Sequence, residues 1–103
     1  MNKRPNTFNT LIGGDTPVLV DFFAEWCGPC KAMAPILQDL KRQVGDRAVV
    51  VKVDVDRNPT VARAYRVQGV PTLVLFKKGN PVWRGSGVMS TAQLMSIIGP
   101  HLN

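Results

Sequence analysis

Apolar and polar positions alternate along the chain in blocks, and these blocks predict strands and helices in turn. Three runs rich in β-branched and aromatic residues are typical of strands buried on both faces, and they lie at 18–23, 48–55 and 72–76. Residues 77–80 predict a hairpin turn into a short fourth strand at 82–84. Because Pro81 has no N–H to donate to a neighbouring strand, the fourth strand is expected at an edge of the sheet.

Apolar residues at helical spacing lie between these strands. One face of a long helix is predicted by residues three or four positions apart: Met33, Ile36, Leu37, Leu40 and Val44. Gly45 follows as the expected C-cap. Shorter helices are predicted at 6–12, from Asn58–Pro59 to about Arg66, and from the capping box at 90–93 to Gly99–Pro100.

The order of elements predicts the fold class. Helix-length connections join the first three strands, so we expect these strands to be parallel, with helices on both faces of the sheet. The last two strands are expected to form an antiparallel hairpin. The sequence therefore predicts a three-layer α/β/α fold with a central mixed sheet of four to five strands. With 103 residues, the length suits one domain over 1–103.

Composition and charge narrow the function classes. Hydrophobic residues make up 45% of the chain and charged residues 19%, as in a globular protein. No apolar run approaches the roughly 20 residues that cross a bilayer, and no apolar segment follows the basic first residues as in a secretory signal. The net charge is +6, but its carriers are dispersed over the elements, with no basic stripe beside exposed aromatics. We therefore expect no membrane and no nucleic acid partner.

The two cysteines, Cys27 and Cys30, form a Cys-Gly-Pro-Cys motif between the first strand and the long helix. A zinc site needs two further ligands, and the chain offers no third cysteine and only one histidine, His101. A structural staple is also disfavoured, because closing so short a loop removes little chain entropy. The position of the pair favours a redox dithiol.

The long helix suggests a role for each cysteine. At the helix N-terminus, unpaired N–H groups and the positive dipole end favour the thiolate of Cys27, and the thiolate is the attacking species. Cys30 lies one turn further and is expected to be the more buried of the two. We therefore predict that Cys27 attacks and Cys30 resolves. Pro29 suits an early helical position, and Gly28 leaves the approach to Cys27 open.

Two polar residues interrupt the apolar strands near the cysteines. Asp21 lies six positions before Cys27 and is expected to be buried, where a carboxyl tends to stay protonated. It is a candidate to take the proton of Cys30, or else a salt-bridged or outward-facing strand residue. Lys52, in the neighbouring strand, either modulates Asp21 or points to solvent. Pro71 marks the start of a strand, and spacing does not set its peptide isomer.

These residues, taken together, resemble the thioredoxins. The resemblance covers about residues 6 to 102 and rests on Asp21, the motif at 26–31, Pro35, Lys52, Asn58–Pro59, the segment at 69–72 and Gly87. The chain is similar to thioredoxins of the bacterial type. The resemblance implies a protein-disulfide reductase, an enzyme-like electron carrier that works through a mixed disulfide.

The resemblance also implies a set of partners and a docking surface. Client proteins with disulfides are expected as substrates, and a thioredoxin reductase, an NADPH-dependent flavoprotein, as electron donor. The chain itself has no dinucleotide or flavin fingerprint, so no cofactor is expected. A monomer in the cytoplasm is expected. The resemblance implies a cis bond before Pro71 and a shallow apolar surface for clients, formed by Trp26, Gly28, Pro29, Val55, Gly69, Val70, Gly87 and Val88.

The sequence departs from the family pattern at two places. Thioredoxins usually begin with an extra strand, and residues 1–5 are too short and polar to supply it, so the first edge strand is expected to be shortened or absent. Phe23 stands where many members have a second tryptophan. Two alternative functions stay open: a thiol oxidase or isomerase of an oxidising compartment, and a non-catalytic binding module with the same fold.

Overall fold

The computed structural model describes residues 4–102 and the side chains from Thr7 onward. These residues form four α-helices and four strands, in this order: α1 (Arg4–Ile12), β1 (Val18–Phe23), α2 (Gly28–Val44), β2 (Val49–Asp54), α3 (Pro59–Ala64), β3 (Thr72–Lys77), β4 (Asn80–Ser86) and α4 (Thr91–Ile98). Short 3-10 turns follow α2 and α4. The predicted elements are all present, with ends that move by a few residues.

The strands form one mixed sheet in the order β2-β1-β3-β4, which confirms the α/β class. β1 is parallel to β2, and β3 and β4 form the predicted antiparallel hairpin with β4 at an edge. Within residues 4–102 no strand lies outside β2, so β2 is the other edge. The first edge strand, expected to be shortened or absent, is absent from the described residues, and residues 1–3 of the segment concerned lie outside them.

The direction of β3 corrects the sequence prediction, because β3 runs antiparallel to β1. Helix α3 has six residues, about 9 Å of helix, whereas a six-residue strand is about 20 Å long. The helix is too short to return the chain along the sheet. β3 therefore starts at the end where β2 stops: Thr72 lies opposite Phe22, and Asp54 lies opposite Phe23.

Helices cover both faces of the sheet, as expected. The alternating side chains of β1 and β3 separate two apolar clusters. On the face of α2 and α4, the buried residues include Leu19, Met33, Leu40, Leu73 and Leu94; on the face of α1 and α3, they include Phe8, Ile12, Val20, Phe22 and Phe76. This three-layer packing fixes the start of α2 against the ends of β1 and β2, where the cysteines lie.

The ends of the helices largely follow the predicted capping signals. Ser90 and Gln93 form a capping box at the start of α4, and Gly45 caps α2 with a φ of +55°. Asn58 precedes α3 but its side chain does not cap the helix. Its Nδ2 donates to the carbonyl oxygen of Asp54 at 3.0 Å instead, so the amide stabilises the turn that follows β2.

Candidate active site

A disulfide joins Cys27 and Cys30, with their Cα atoms 5.3 Å apart. Cys27 is the N-cap of α2, and its Sγ accepts a hydrogen bond from the backbone N–H of Cys30 at 3.1 Å. Pro29 occupies the first turn, where no N–H is needed. The sulfur of Cys27 therefore lies at the positive end of a 17-residue helix, as the sequence predicts.

Burial does not separate the two cysteines, contrary to the sequence expectation. Cys27 is 3% exposed and Cys30 is 4% exposed. In the disulfide form the two sulfurs are bonded to each other, so both are enclosed by Ala24, Val55 and Val70. The helix distinguishes them instead, because only Cys27 is at the N-cap position.

Asp21 lies in β1, two residues after Leu19 and so on the face of the sheet that α2 covers, and it is completely buried. Among the residues that the structure describes, neither of its carboxyl oxygens has a hydrogen-bond partner. Burial raises the pKa of Asp21 to about 6, and the positive charge of Lys52 opposes that rise. The expectation of a buried carboxyl is confirmed. The complete burial excludes the alternative in which the Asp21 side chain faces outward.

Lys52 is the register neighbour of Asp21 on β2, and its side chain is exposed at the edge of the sheet. Its ammonium does not form a close ion pair with Asp21. The Nζ atom lies 4.4 Å from the centroid of the Phe23 ring, in a cation–π contact. The Lys52 side chain therefore reaches solvent at the edge of the sheet, and its positive charge still lowers the pKa of Asp21.

Two loops from distant parts of the chain meet beside the cysteines. The Val70–Pro71 bond is cis, and Val70 packs against the cluster of Ala24, Cys27 and Cys30. The N–H of Gly87 donates to the carbonyl oxygen of Pro71 at 3.0 Å, with Gly87 at a φ of +85°. This hydrogen bond joins the loop before β3 to the loop after β4.

The remaining residues of the expected docking surface lie around this junction or are exposed next to it. Trp26 is 72% exposed and Val88 is 50% exposed, the two highest values among the large apolar side chains that the structure describes. Gly28, Pro29 and Gly69 are exposed, and Val55 packs beside the cysteines. Large apolar side chains thus lie in the open on the side of the molecule that carries the disulfide.

Trp26 and its neighbour Glu25 make side-chain contacts that the sequence did not predict. The indole Nε1 donates to Asp56 Oδ2 at 2.9 Å, and Arg57 lies 3.7 Å from Glu25 in an exposed ion pair. These residues are about 30 positions apart in the chain. Because β1 and β2 are parallel, the loops after them meet at the same end of the sheet. Because the parallel pairing of β1 and β2 was predicted, the sequence could also have predicted that these two loops meet.

Two further features of residues 4–102 bear on the chemistry. No helix there has both the length and the apolar character needed to cross a membrane. No three His, Cys, Asp or Glu side chains in this range come together in an arrangement that could hold a metal ion.

Comparison with known proteins gives matches over most of the chain. A family model described as thioredoxin matches residues 1–99. A thioredoxin-like protein of Synechocystis is 50% identical over 90 residues, which cover 87% of this chain and 86% of that protein. A thioredoxin of Mycolicibacterium smegmatis is 47% identical over 93 residues, covering 87% and 83%. A bifunctional thioredoxin reductase/thioredoxin of Mycobacterium leprae is 42% identical over 99 residues, covering 93% of this chain and 22% of that protein.

Proposed function

The chain belongs to the thioredoxin family and is a thiol–disulfide oxidoreductase with a vicinal cysteine pair, and from this premise we propose how its residues reduce client disulfides. The observation that carries the proposal is the disulfide between Cys27, at the N-cap of α2, and Cys30, one turn later. A pair that closes this disulfide by giving up two electrons is suited to pass those electrons to a client protein.

A client disulfide docks on the apolar surface around the cysteines. We assign this docking surface to Trp26, Gly28, Pro29, Val55, Gly69, Val70, Pro71, Gly87 and Val88. The exposure of Trp26 and Val88 supports the assignment, because a side chain that stays in water when free can bury apolar area when a client binds. The backbone of Val70 pairs with an extended client segment, as in short β-augmentation.

Reduction proceeds in two exchange steps. The thiolate of Cys27 attacks one sulfur of the client disulfide, forms a mixed disulfide and releases the other client sulfur as a thiolate. Cys30 then loses its proton and attacks the sulfur of Cys27. The Cys27–Cys30 disulfide forms as the client bond breaks, so two electrons pass to the client.

Asp21 accepts the proton of Cys30 in the second step. Its buried carboxyl, with a pKa raised to about 6, is largely ionised at neutral pH and holds a proton more strongly than an ordinary carboxyl. Lys52 keeps the carboxylate available, because its positive charge opposes the effect of burial on the pKa of Asp21. Cys27, Cys30, Asp21 and Lys52 thus form the proposed reaction centre.

A thioredoxin reductase, an NADPH-dependent flavoprotein, regenerates the dithiol. The relative in Mycobacterium leprae is named as a bifunctional thioredoxin reductase/thioredoxin, and a reductase joined to a similar domain supports this pairing. We propose that the chain acts in the cytoplasm as a monomeric carrier of electrons between that reductase and its clients. The carrier itself needs no bound cofactor, because both electrons are held on sulfur.

Insulin reduction driven by dithiothreitol tests the proposal. The protein should accelerate the reaction, and Cys27→Ser should reduce the acceleration to the uncatalysed rate because no attacking thiol remains. Lys41→Ser, on an exposed position of the same helix, serves as the matched control and should keep the parent rate. A Cys27→Ser variant that retains the parent rate would refute the proposed mechanism.

A further inference from the structure

Asp21, Phe23 and Lys52 share one face of the sheet, and Phe23 packs against the cysteines. In the parallel register of β1 and β2, Asp21 is opposite Lys52. Phe23 is two residues after Asp21, so its side chain lies on the same face. The Lys52 ammonium is 4.4 Å from the centre of the Phe23 ring, while both Asp21 oxygens lack a hydrogen-bond partner in the described part of the chain.

We propose that Phe23 is a positioning residue, whose ring holds the Lys52 ammonium beside the buried Asp21 carboxyl so that this carboxyl can accept the proton of Cys30. The inference deepens the proposed function and rests on the assignment of Asp21 as proton acceptor. Lys52 is exposed on an edge strand, so its flexible side chain can also extend into water. The aromatic ring favours the position near Asp21 over that alternative.

Among the groups around Asp21, Lys52 is the one whose charge affects the pKa of its carboxyl. The neighbour of Asp21 on β3 is Leu73, an apolar and fully buried residue. From α2 and the loop before it, Lys31 and Glu25 line a cavity of about 320 Å³ together with Phe23, Cys30 and Lys52, and Asp21 does not line this cavity. Of these charged groups, Lys52 is the one whose charge lowers the pKa of Asp21 against the effect of burial.

The first experiment measures the pKa of Asp21 by the NMR shift of its carboxyl carbon in the oxidised protein, where no thiol titrates. In Phe23→Leu the ammonium loses the ring, and the pKa should rise by about half a pH unit, in line with the strength of a cation–π contact. Phe23→Trp keeps an aromatic face and should leave the pKa at or below the parent value. An unchanged or lower pKa in Phe23→Leu would overturn the proposal.

A double-variant cycle separates this role from a merely structural one. In a Lys52→Met background there is no ammonium for the ring to hold, so adding Phe23→Leu should produce no further rise in the pKa of Asp21. A rise as large as that in the parent background would mean that Phe23 acts through burial alone, and it would refute the positioning role. Phe23→Met is the second variant for both arms if the leucine variant does not fold.

The pH profile of insulin reduction then tests the role of Asp21 as proton acceptor separately from the positioning role of Phe23. If Asp21 is the proton acceptor, the lower limb of the profile should move in Phe23→Leu by the same amount as the pKa of Asp21. A pKa that moves while the profile stays in place would overturn the catalytic assignment of Asp21 and leave the contact between Phe23 and Lys52 established. A pKa that does not move would overturn the positioning role itself.

Discussion

At the scale of single residues, Asp21 is an ionisable side chain in an apolar site. It is a fully buried carboxyl with no hydrogen-bond partner among the described residues, inside a strand of apolar side chains. Ionisation in such a place costs folding free energy, which is why burial raises the pKa of Asp21 to about 6. A residue that weakens the fold in this way, in the strand that leads into the redox pair, is best explained by its chemistry.

Replacement of Asp21 by Asn should therefore stabilise the oxidised protein at pH 8 and have little effect at pH 4. The folded-state pKa of about 6 lies above the ordinary value of 3.8. The folded protein binds the extra proton between these values, so its stability falls as the pH rises through this window. The full loss is about 3 kcal/mol, which sets the upper limit of the gain.

Urea unfolding of the parent and of Asp21→Asn at both pH values measures this effect. Asp46→Asn, which makes the same change at an exposed position, is the control. A stability difference between Asp21→Asn and the parent that stays constant from pH 4 to pH 8 would contradict the linkage.

Among the elements, α2 does the most to form the site, because it presents the cysteines at its N-terminus and packs its apolar face on the sheet. Its partner α4 covers the same face through Leu94 and Ile98 and lies beside α2. The start of α4 is fixed by a complete capping box. Ser90 Oγ accepts from the N–H of Gln93 at 3.1 Å, and Gln93 Oε1 accepts from the N–H of Ser90 at 2.9 Å.

Loss of this capping box should weaken the fold and leave the thiol chemistry intact. Ser90→Ala removes the acceptor for the helix N–H and should lower the free energy of unfolding by about 1 kcal/mol. Ser96→Ala, at an exposed position inside the same helix, should be neutral or slightly stabilising, because alanine has the higher helix propensity. Unfolding curves compare the two, and equal effects would show that the cap does not stabilise α4.

For the molecule as a whole, the sequence predicted which residues belong together better than how they are arranged. Periodicity located the strands and α2, and the order of elements predicted three layers. The predicted direction of β3 was wrong. Whether the chain returns along the sheet depends on the length of α3, and the prediction considered only that a helix is present. Two findings depend on side-chain positions, which a pattern of residue types does not specify. These are the similar burial of Cys27 and Cys30 and the contact of Lys52 with Phe23.

The order of attack, in which Cys27 attacks and Cys30 resolves, can be tested by trapping the mixed disulfide. Reduced Cys30→Ser is mixed with a peptide that contains one disulfide, and peptide mapping by mass spectrometry locates the adduct. A single adduct on Cys27 is predicted, and it should persist because no second thiol can displace the peptide. Cys27→Ser should form little adduct in the same time. A rapid adduct on Cys30 in Cys27→Ser, with none on Cys27 in Cys30→Ser, would contradict this order of attack.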